Sequence, residues 1–88
     1  MPAPTVTASV TTANGVSICA ANGARSGLIV ENTDANRLYV LLDTGNASAT
    51  NFTFSLAQNE KYTVQGYSGI VKGLWAGDGS GSALVTEF

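Results

Sequence analysis

Apolar and polar residues alternate with a period of two over several short runs of the chain. Phe52, Phe54 and Leu56 alternate with hydroxyl-bearing residues, which places their large side chains on one face of an extended segment. Tyr62 and Val64 alternate with polar neighbours in the same way. These runs predict β-strands with one buried face and one face in solvent.

The run at residues 38–43 differs because both of its faces are largely apolar. Leu38 and Val40 project to one side, and Tyr39 and Leu41 project to the other. This pattern predicts a central strand that is covered on both sides. No run has the sustained apolar spacing of an amphipathic helix, and ten glycines are spread through the chain, so we expect an all-β fold.

Turn-forming residues separate the runs at residues 32–36, 57–60 and 77–82. Asn, Asp and Gly tolerate left-handed conformations, and Asx side chains can bond to the nearby backbone. We expect each of these segments to close a hairpin between the strands on either side of it.

About seven strands with frequent turns favour two antiparallel sheets packed face to face as a small β-sandwich or jelly roll, because a single sheet would leave one apolar face in water. The chain has 88 residues, which suffice for one domain with one core. We expect residues 15–88 to form that domain and residues 1–14, rich in Thr, Ala and Pro, to form an extended N-terminal arm. The arm either pairs with the domain's own sheet or lies on a neighbouring molecule.

The composition predicts a surface with few charges. Charged residues make up 11% of the chain, less than half of the roughly 25% usual in soluble domains, whereas the apolar fraction of 44% is ordinary. Short neutral side chains lose little entropy and need little desolvation when they are covered. This composition therefore favours a surface that contacts another protein, and the alternative is an ordinary β-sandwich poor in Lys and Glu.

The charge pattern and the first residues narrow the class of partner. Four basic residues are scattered singly in a chain of net charge −2, which argues against a nucleic-acid partner. No apolar run is long enough to cross a bilayer, so no membrane partner is expected. Residues 1–5 lack the basic and apolar regions of a signal peptide, which predicts synthesis in a cytoplasm. The single Cys19 is expected to act as a small apolar residue.

Catalytic and metal-binding chemistry has little support in the sequence. The absence of histidine removes the commonest general base and the usual zinc ligand sets. The carboxylates fall mostly in predicted turns or at strand ends, where solvated acids are ordinary. Asp34 and Asn36 could offer oxygen ligands to calcium, but turn formation explains them better. We therefore expect no enzyme, no metal and no cofactor.

Residues 25–88 contain a recurring pattern of strand and turn residues, and its segments are Ser26–Thr33, Leu38–Val40, Ser55–Ala57, Tyr62, Gly66–Gly69, Val71, Gly73–Ala76 and Ala83–Glu87. This pattern resembles small β-sandwich virion proteins that are encoded near the capsid genes of tailed bacteriophages. The resemblance implies a capsid decoration, or cement, protein on the outer surface of the virion. Such a protein bridges neighbouring subunits of the major capsid protein, and it is often a homotrimer.

A cement protein acts by many modest contacts that are repeated over a lattice. We expect exposed sheet edges and the arm to make these contacts, and the arm residues concerned are Thr5, Val6, Thr7, Val10, Thr11 and Thr12.

The competing hypothesis is a phage spike or fibre module that recognises surface glycans. Tyr67 and Trp75 could stack on the apolar face of a sugar ring while Asp78 binds its hydroxyls. The alternative for these aromatic residues is packing in the core and at its rim. The exposure of Trp75 separates the two, because a buried indole cannot stack on a ligand.

Overall fold

The computed structural model describes residues 5–8, 16–77, 79 and 81–88. These residues form an all-β fold without a helix, in which eight strands make two antiparallel four-stranded sheets. The strands are β1 (Thr5–Ala8), β2 (Val16–Cys19), β3 (Gly27–Asn32), β4 (Leu38–Leu41), β5 (Phe54–Leu56), β6 (Lys61–Gln65), β7 (Val71–Trp75) and β8 (Ser82–Glu87). The arrangement is that of a small β-sandwich, as the alternating apolar positions predict.

The strands divide between the two sheets in an interleaved order. Sheet A has the order β1-β8-β3-β6, and sheet B has the order β2-β7-β4-β5. Strands β8 and β3 therefore form the middle of sheet A, and β7 and β4 form the middle of sheet B. The edges are β1 and β6 in sheet A and β2 and β5 in sheet B.

The core lies between the sheets and is built from alternate residues of the strands. In β3, Leu28 and Val30 have no exposed surface, whereas Ile29 between them is only partly buried. Full burial of an aliphatic side chain of this size contributes about 1.5–3 kcal/mol relative to exposure. The other buried members of the core are Ile18, Cys19, Leu38, Val40, Leu56, Val71, Trp75, Ala83 and Val85.

The prediction of a central strand is confirmed for residues 38–41, and the strand ends before Leu42 and Asp43, which the apolar pattern includes. β4 pairs with β5 on one side and with β7 on the other. Leu38 and Val40 are buried in the core, and Leu41 is also buried although it lies on the outer face. A Cβ placed on Gly45 would lie 3.7 Å from Leu41 Cδ2, so the segment after β4 folds over that outer face.

The predicted strand through Phe52 is shorter than expected. Strand β5 begins at Phe54, and Phe52 lies outside it with 41% of its surface exposed. The Leu42 amide donates to the Thr53 hydroxyl at 3.0 Å, so a side chain takes the place of a ladder partner there. Leu56 is buried as predicted.

All three predicted hairpins are wrong. Residues 32–36 lead from β3 in sheet A to β4 in sheet B, residues 57–60 lead from β5 to β6, and residues 77–82 lead from β7 to β8. Each segment therefore crosses from one sheet to the other. Turn residues show that the chain reverses, but packing of the whole core decides which strand becomes the hydrogen-bonded neighbour.

The predicted N-terminal arm contains a strand. Thr5–Ala8 pair antiparallel with β8, and Val6 lies opposite Leu84. This strand pairs with the domain's own sheet, which is the first of the two placements considered above. Residues 1–4 and 9–14 of the predicted arm lie outside the described residues.

Candidate functional site

An ion pair between a buried arginine and a partly exposed glutamate ties the last strand to two loops at one corner of the sandwich. The Arg25 side chain is 1% exposed, and its Nη1 lies 2.7 Å from Oε1 of Glu87. Arg25 also donates from Nε to the Tyr67 carbonyl and from Nη1 to the Ala20 carbonyl, both at 3.0 Å, and from Nη2 to the Gly69 carbonyl. The guanidinium thus links β8 to the segment after β2 and to the segment between β6 and β7.

The Glu87 carboxylate gathers further donors in this corner. Its Oε1 accepts from Nδ2 of Asn22 at 3.4 Å and from Sγ of Cys19 at 3.5 Å, besides Nη1 of Arg25. The hydrogen bond from Arg25 holds the pKa of Glu87 below its ordinary value of 4.5. Burial, followed by the contact with Glu87, raises the pKa of the Cys19 thiol above 9.0. The carboxylate is therefore charged and the thiol neutral at pH 7, so Cys19 is not an activated nucleophile.

Two shallow clefts flank this ion pair. The first, of about 350 Å³, is lined by Thr5, Cys19, Ala20, Ala21, Asn22 and Glu87, and the second, of about 320 Å³, is lined by Asn22, Ala24, Arg25, Glu87 and Phe88. Asn22 and Glu87 border both clefts. Arg25, Glu87 and Asn22 bond to one another and to the backbone, so among the described residues of this corner the charged groups are engaged within the protein.

Local sequence patterns do not reveal this corner. Arg25 is one of four basic residues that are scattered singly along the chain. The one sequence feature that points to this corner is Glu87, an acid in the otherwise apolar and hydroxyl-bearing run at residues 83–88. An acid in a half-buried strand needs a cation or a hydrogen-bond donor as its partner. The identity of that partner depends on the approach of segments that are 62 residues apart in the chain.

Trp75 is the last residue of β7. It lies in the core and has no exposed surface. Its Nε1 donates to Oδ1 of Asn32 at 3.1 Å. Asn32 is also fully buried, and its Nδ2 donates to the carbonyls of Asn36 and Leu56. The predicted sugar platform therefore loses its main ring, because the indole is enclosed and bonded within the protein.

The remaining members of that predicted platform do not restore it. Tyr67 is partly buried, its ring lies 5.9 Å from the guanidinium carbon of Arg25, and its hydroxyl donates to the Ile70 carbonyl. Burial raises the pKa of Tyr67 above 10.0. Asp78 lies outside the described residues.

Asp34 and Asn36 form a turn network, as the sequence interpretation expects. Asp34 is 2% exposed, and its Oδ2 accepts from the backbone amide and from Nδ2 of Asn36, both at 2.9 Å. Its Oδ1 accepts from the Gly81 amide at 3.0 Å. Over the described ranges, no group of three or more His, Cys, Asp or Glu side chains is arranged to hold a metal ion.

The outward face of sheet A carries apolar and hydroxyl-bearing residues and one pair of opposite charges. We call it the sheet A outer face, and it comprises Val6, Ile29, Glu31, Lys61, Thr63, Leu84 and Thr86. Val6 lies opposite Leu84, and Ile29 lies opposite both Thr63 and Thr86. Their neighbours along β3 and β8 are buried, so alternation directs these side chains away from the core.

Charge is sparse around the sheet A outer face. Among the described strand residues on that side, only Glu31 and Lys61 are charged; they lie opposite each other, and Glu31 also lies opposite Leu84. Val6 is 64% exposed, although it is a large apolar residue. Burial of this face would therefore cover mainly apolar and hydroxyl-bearing side chains and would desolvate one pair of opposite charges.

The predicted contact residues lie only partly within the described chain. Thr5, Val6 and Thr7 belong to β1 at the edge of sheet A, and Val6 is part of the sheet A outer face. Val10, Thr11 and Thr12 lie outside the described residues. β1 pairs with β8 on one side, and no described strand pairs with its other side.

A second group of exposed apolar side chains lies near β5. The rings of Tyr39 and Phe52 are 5.1 Å apart, and those of Phe54 and Tyr62 are 4.6 Å apart in an edge-to-face arrangement. Tyr62 is 50% exposed. The second pair joins β5 to β6 and covers the open side of the sandwich between those two edges.

Comparison with known proteins identifies no family model, no curated protein and no solved structure that matches the chain. The part of the chain described by the structure contains no helix that could cross a membrane. A functional assignment for this chain therefore depends on its composition and on the surfaces described above.

Proposed function

We propose that this chain is a structural protein of a virion, a decoration or cement protein that binds the outer surface of the capsid. In this proposal it contacts the major capsid protein, bridges neighbouring subunits and associates with copies of itself, as a trimer. The observation that carries the proposal is the sheet A outer face, which has little charge and includes Val6 of the edge strand β1, in a chain of which only 11% is charged.

The chemistry of that face suits a protein partner. Val6, Ile29 and Leu84 offer apolar area, and each square ångström removed from water contributes about 25 cal/mol before the costs of association. The threonines beside them have short side chains, which lose less rotamer entropy on burial than Lys or Glu. Contacts of this kind are individually weak, and repetition over a shell lattice makes them effective.

The strand order gives further support. The strand orders are β1-β8-β3-β6 and β2-β7-β4-β5, and every pair of consecutive strands except β4 and β5 lies in opposite sheets. This distribution fits a jelly roll. Jelly rolls occur in viral capsid proteins and in lectins. Because one fold serves many functions, this support is an analogy and counts for less than the surface.

The proposal can be tested with undecorated shells assembled from a major capsid protein of a tailed phage. Purified protein is mixed with the shells, the shells are sedimented, and the bound protein and the temperature of shell disruption are measured. We expect the protein to sediment with the shells and to raise their disruption temperature. Absence of binding to such shells would contradict the proposal.

A pair of variants tests the surface itself. Val6→Asp places a charge on the sheet A outer face at a position that is 64% exposed, so it should leave the core intact and weaken binding. Phe52→Ser removes a different exposed apolar side chain, near β5, and should bind as the unaltered protein does. Equal binding by all three proteins would show that the contact lies elsewhere.

A further inference from the structure

An asparagine–glycine dipeptide lies next to the buried ion pair. The chain contains two such dipeptides, Asn14-Gly15 and Asn22-Gly23, and the second lies within the described residues. Asparagine side chains are attacked most readily by the amide nitrogen of a following glycine, because glycine has no Cβ to hinder the approach. Asn22 also borders both clefts and contacts Glu87.

A hydrogen bond folds the Asn22 side chain back along the following peptides. Oδ1 of Asn22 accepts a hydrogen bond from the Ala24 amide at 3.0 Å. The ring that this bond closes contains both Cγ of Asn22 and the amide nitrogen of Gly23, so the side chain is folded back over the Gly23 peptide. The bond also draws electron density from the side-chain carbonyl, which makes Cγ more electrophilic.

Gly23 has room for the rearrangement. It is exposed, and a Cβ built on it would meet no atom within 4 Å. Its amide donates no hydrogen bond to another described residue, so removal of the amide proton breaks no such bond.

We propose that Asn22 is a site of spontaneous deamidation in the folded protein and that its product loosens the corner held by Arg25 and Glu87. The Gly23 amide nitrogen loses its proton and forms a bond to Cγ of Asn22, the Cγ–Nδ2 bond breaks, and ammonia leaves with the proton. Water then opens the cyclic imide at either carbonyl and gives aspartate or isoaspartate. The sequence of steps consumes one water and involves no change of oxidation state.

The product changes the electrostatics of the corner. Nδ2 of Asn22 now donates to Oε1 of Glu87 at 3.4 Å, and deamidation replaces this donor with a carboxylate oxygen. Two carboxylates then compete for the Arg25 guanidinium, and their mutual repulsion opposes the present arrangement. Isoaspartate also lengthens the backbone beside the hydrogen bond from the Asn22 amide to the Ser68 carbonyl, which is 2.8 Å long.

The site is tested by incubating the folded protein in mildly alkaline buffer and mapping its peptides by mass spectrometry over time. Gly23→Ala is the matched control, because its Cβ fits in open space and the glycine does not need a left-handed φ. We expect Asn22 to convert to a mixture of aspartate and isoaspartate, and the Gly23→Ala protein to convert several-fold more slowly. Retention of the amide in the folded protein, while the same chain converts in concentrated guanidinium chloride, would overturn the assignment.

The coupling to the corner needs a second measurement. The urea midpoint of unfolding should fall in aged unaltered protein and in fresh Asn22→Asp protein, and it should stay constant in Gly23→Ala protein aged in parallel. Complete conversion at Asn22 without a change in the midpoint would refute the link to Arg25 and Glu87. The Asn22→Asp variant measures the effect of the new charge alone, without dependence on the rate of ageing, and the difference between it and the aged protein measures the effect of isoaspartate.

Discussion

Replacement of Arg25 by methionine tests the link that joins β8 to the rest of the sandwich. Methionine has a flexible, apolar side chain of similar length, so Arg25→Met keeps much of the packing and removes the charge and the donors. The variant leaves the carbonyls of Ala20, Tyr67 and Gly69 without their guanidinium donors. It also leaves Glu87 without its cation.

The expected loss follows from the burial of the two partners. Breaking a buried ion pair by removal of one partner costs about 3–5 kcal/mol. The Glu87 side chain is 26% exposed and can be hydrated once Arg25 is gone, so we expect the lower end, about 3 kcal/mol. A domain of 88 residues is stable by about 4–13 kcal/mol, so this loss is a large part of the total.

Glu87→Gln should cost less, because its amide oxygen can still accept from Arg25. A hydrogen bond to a charged group contributes about 1.5–3 kcal/mol, and the retained acceptor places the expected loss near the lower value. The double variant, Arg25→Met with Glu87→Gln, should lose less free energy of unfolding than the sum of the two single losses, because both act on one interaction.

The assay is urea unfolding followed by the fluorescence of Trp75. Trp75 is the only tryptophan and is fully buried, so unfolding exposes it to water and shifts its emission. Free energies come from linear extrapolation, with the dependence on urea concentration compared between variants. Arg37→Met is the matched control, because Arg37 is exposed and its Nη1 contacts the Ser55 hydroxyl at 2.9 Å.

We expect Arg37→Met to change the free energy of unfolding by no more than about 0.5 kcal/mol. If Arg25→Met proves as mild as Arg37→Met, the ion pair does not hold the corner, and the structural role given to Arg25 is wrong. Additive losses in the double variant would show that Arg25 and Glu87 act independently.

Three further predictions concern the same corner and the turn around Asp34. The folded-state pKa of Glu87 lies below 4.5, so pairing with Arg25 stabilises the fold above that pH. The free energy of unfolding should fall as the pH drops below 4.5 toward the folded-state pKa, and it should depend less on pH in the Glu87→Gln variant. The pKa of Cys19 is raised, so its neutral, buried thiol contributes to the free energy of unfolding below pH 9.0, and this contribution is lost as the pH rises from there toward the folded-state pKa. Because the thiol is buried and neutral, a thiol-specific reagent should label Cys19 slowly in buffer and rapidly in urea. Gly81→Ala would overlap backbone atoms of Asp34 and should cost about 1–3 kcal/mol in urea unfolding, whereas Gly23→Ala, with open space around its Cβ, should be close to neutral.

The elements of this fold could be predicted because their signal is local. Successive side chains of a strand point to opposite faces, so the alternation around Tyr62 and the two-sided apolar run at residues 38–43 are visible in the sequence. Both correspond to strands, and the second is central in its sheet. The absence of helical spacing likewise predicts the all-β fold.

The candidate surfaces were predictable only in part. Val6 stood among the expected contact residues, and it is exposed on an edge strand. Ile29 and Leu84 belong to the same face, but their membership depends on the pairing of β3 with β8, which no local pattern gives. A tryptophan can serve in a sugar-binding platform or in a hydrophobic core, and the residue type does not separate the two. Only the tertiary structure shows that Trp75 is buried and bonded to Asn32.

The sequence by itself determined that this protein is built from strands, where most of those strands lie and that its surface carries few charges. The tertiary structure alone decided that the turns at residues 32–36, 57–60 and 77–82 cross between sheets, and that Arg25 is buried against Glu87. The physical reason is the range of the interactions. Alternation and turn chemistry act between residues a few positions apart, whereas sheet membership and the burial of an ion pair depend on how the whole core closes.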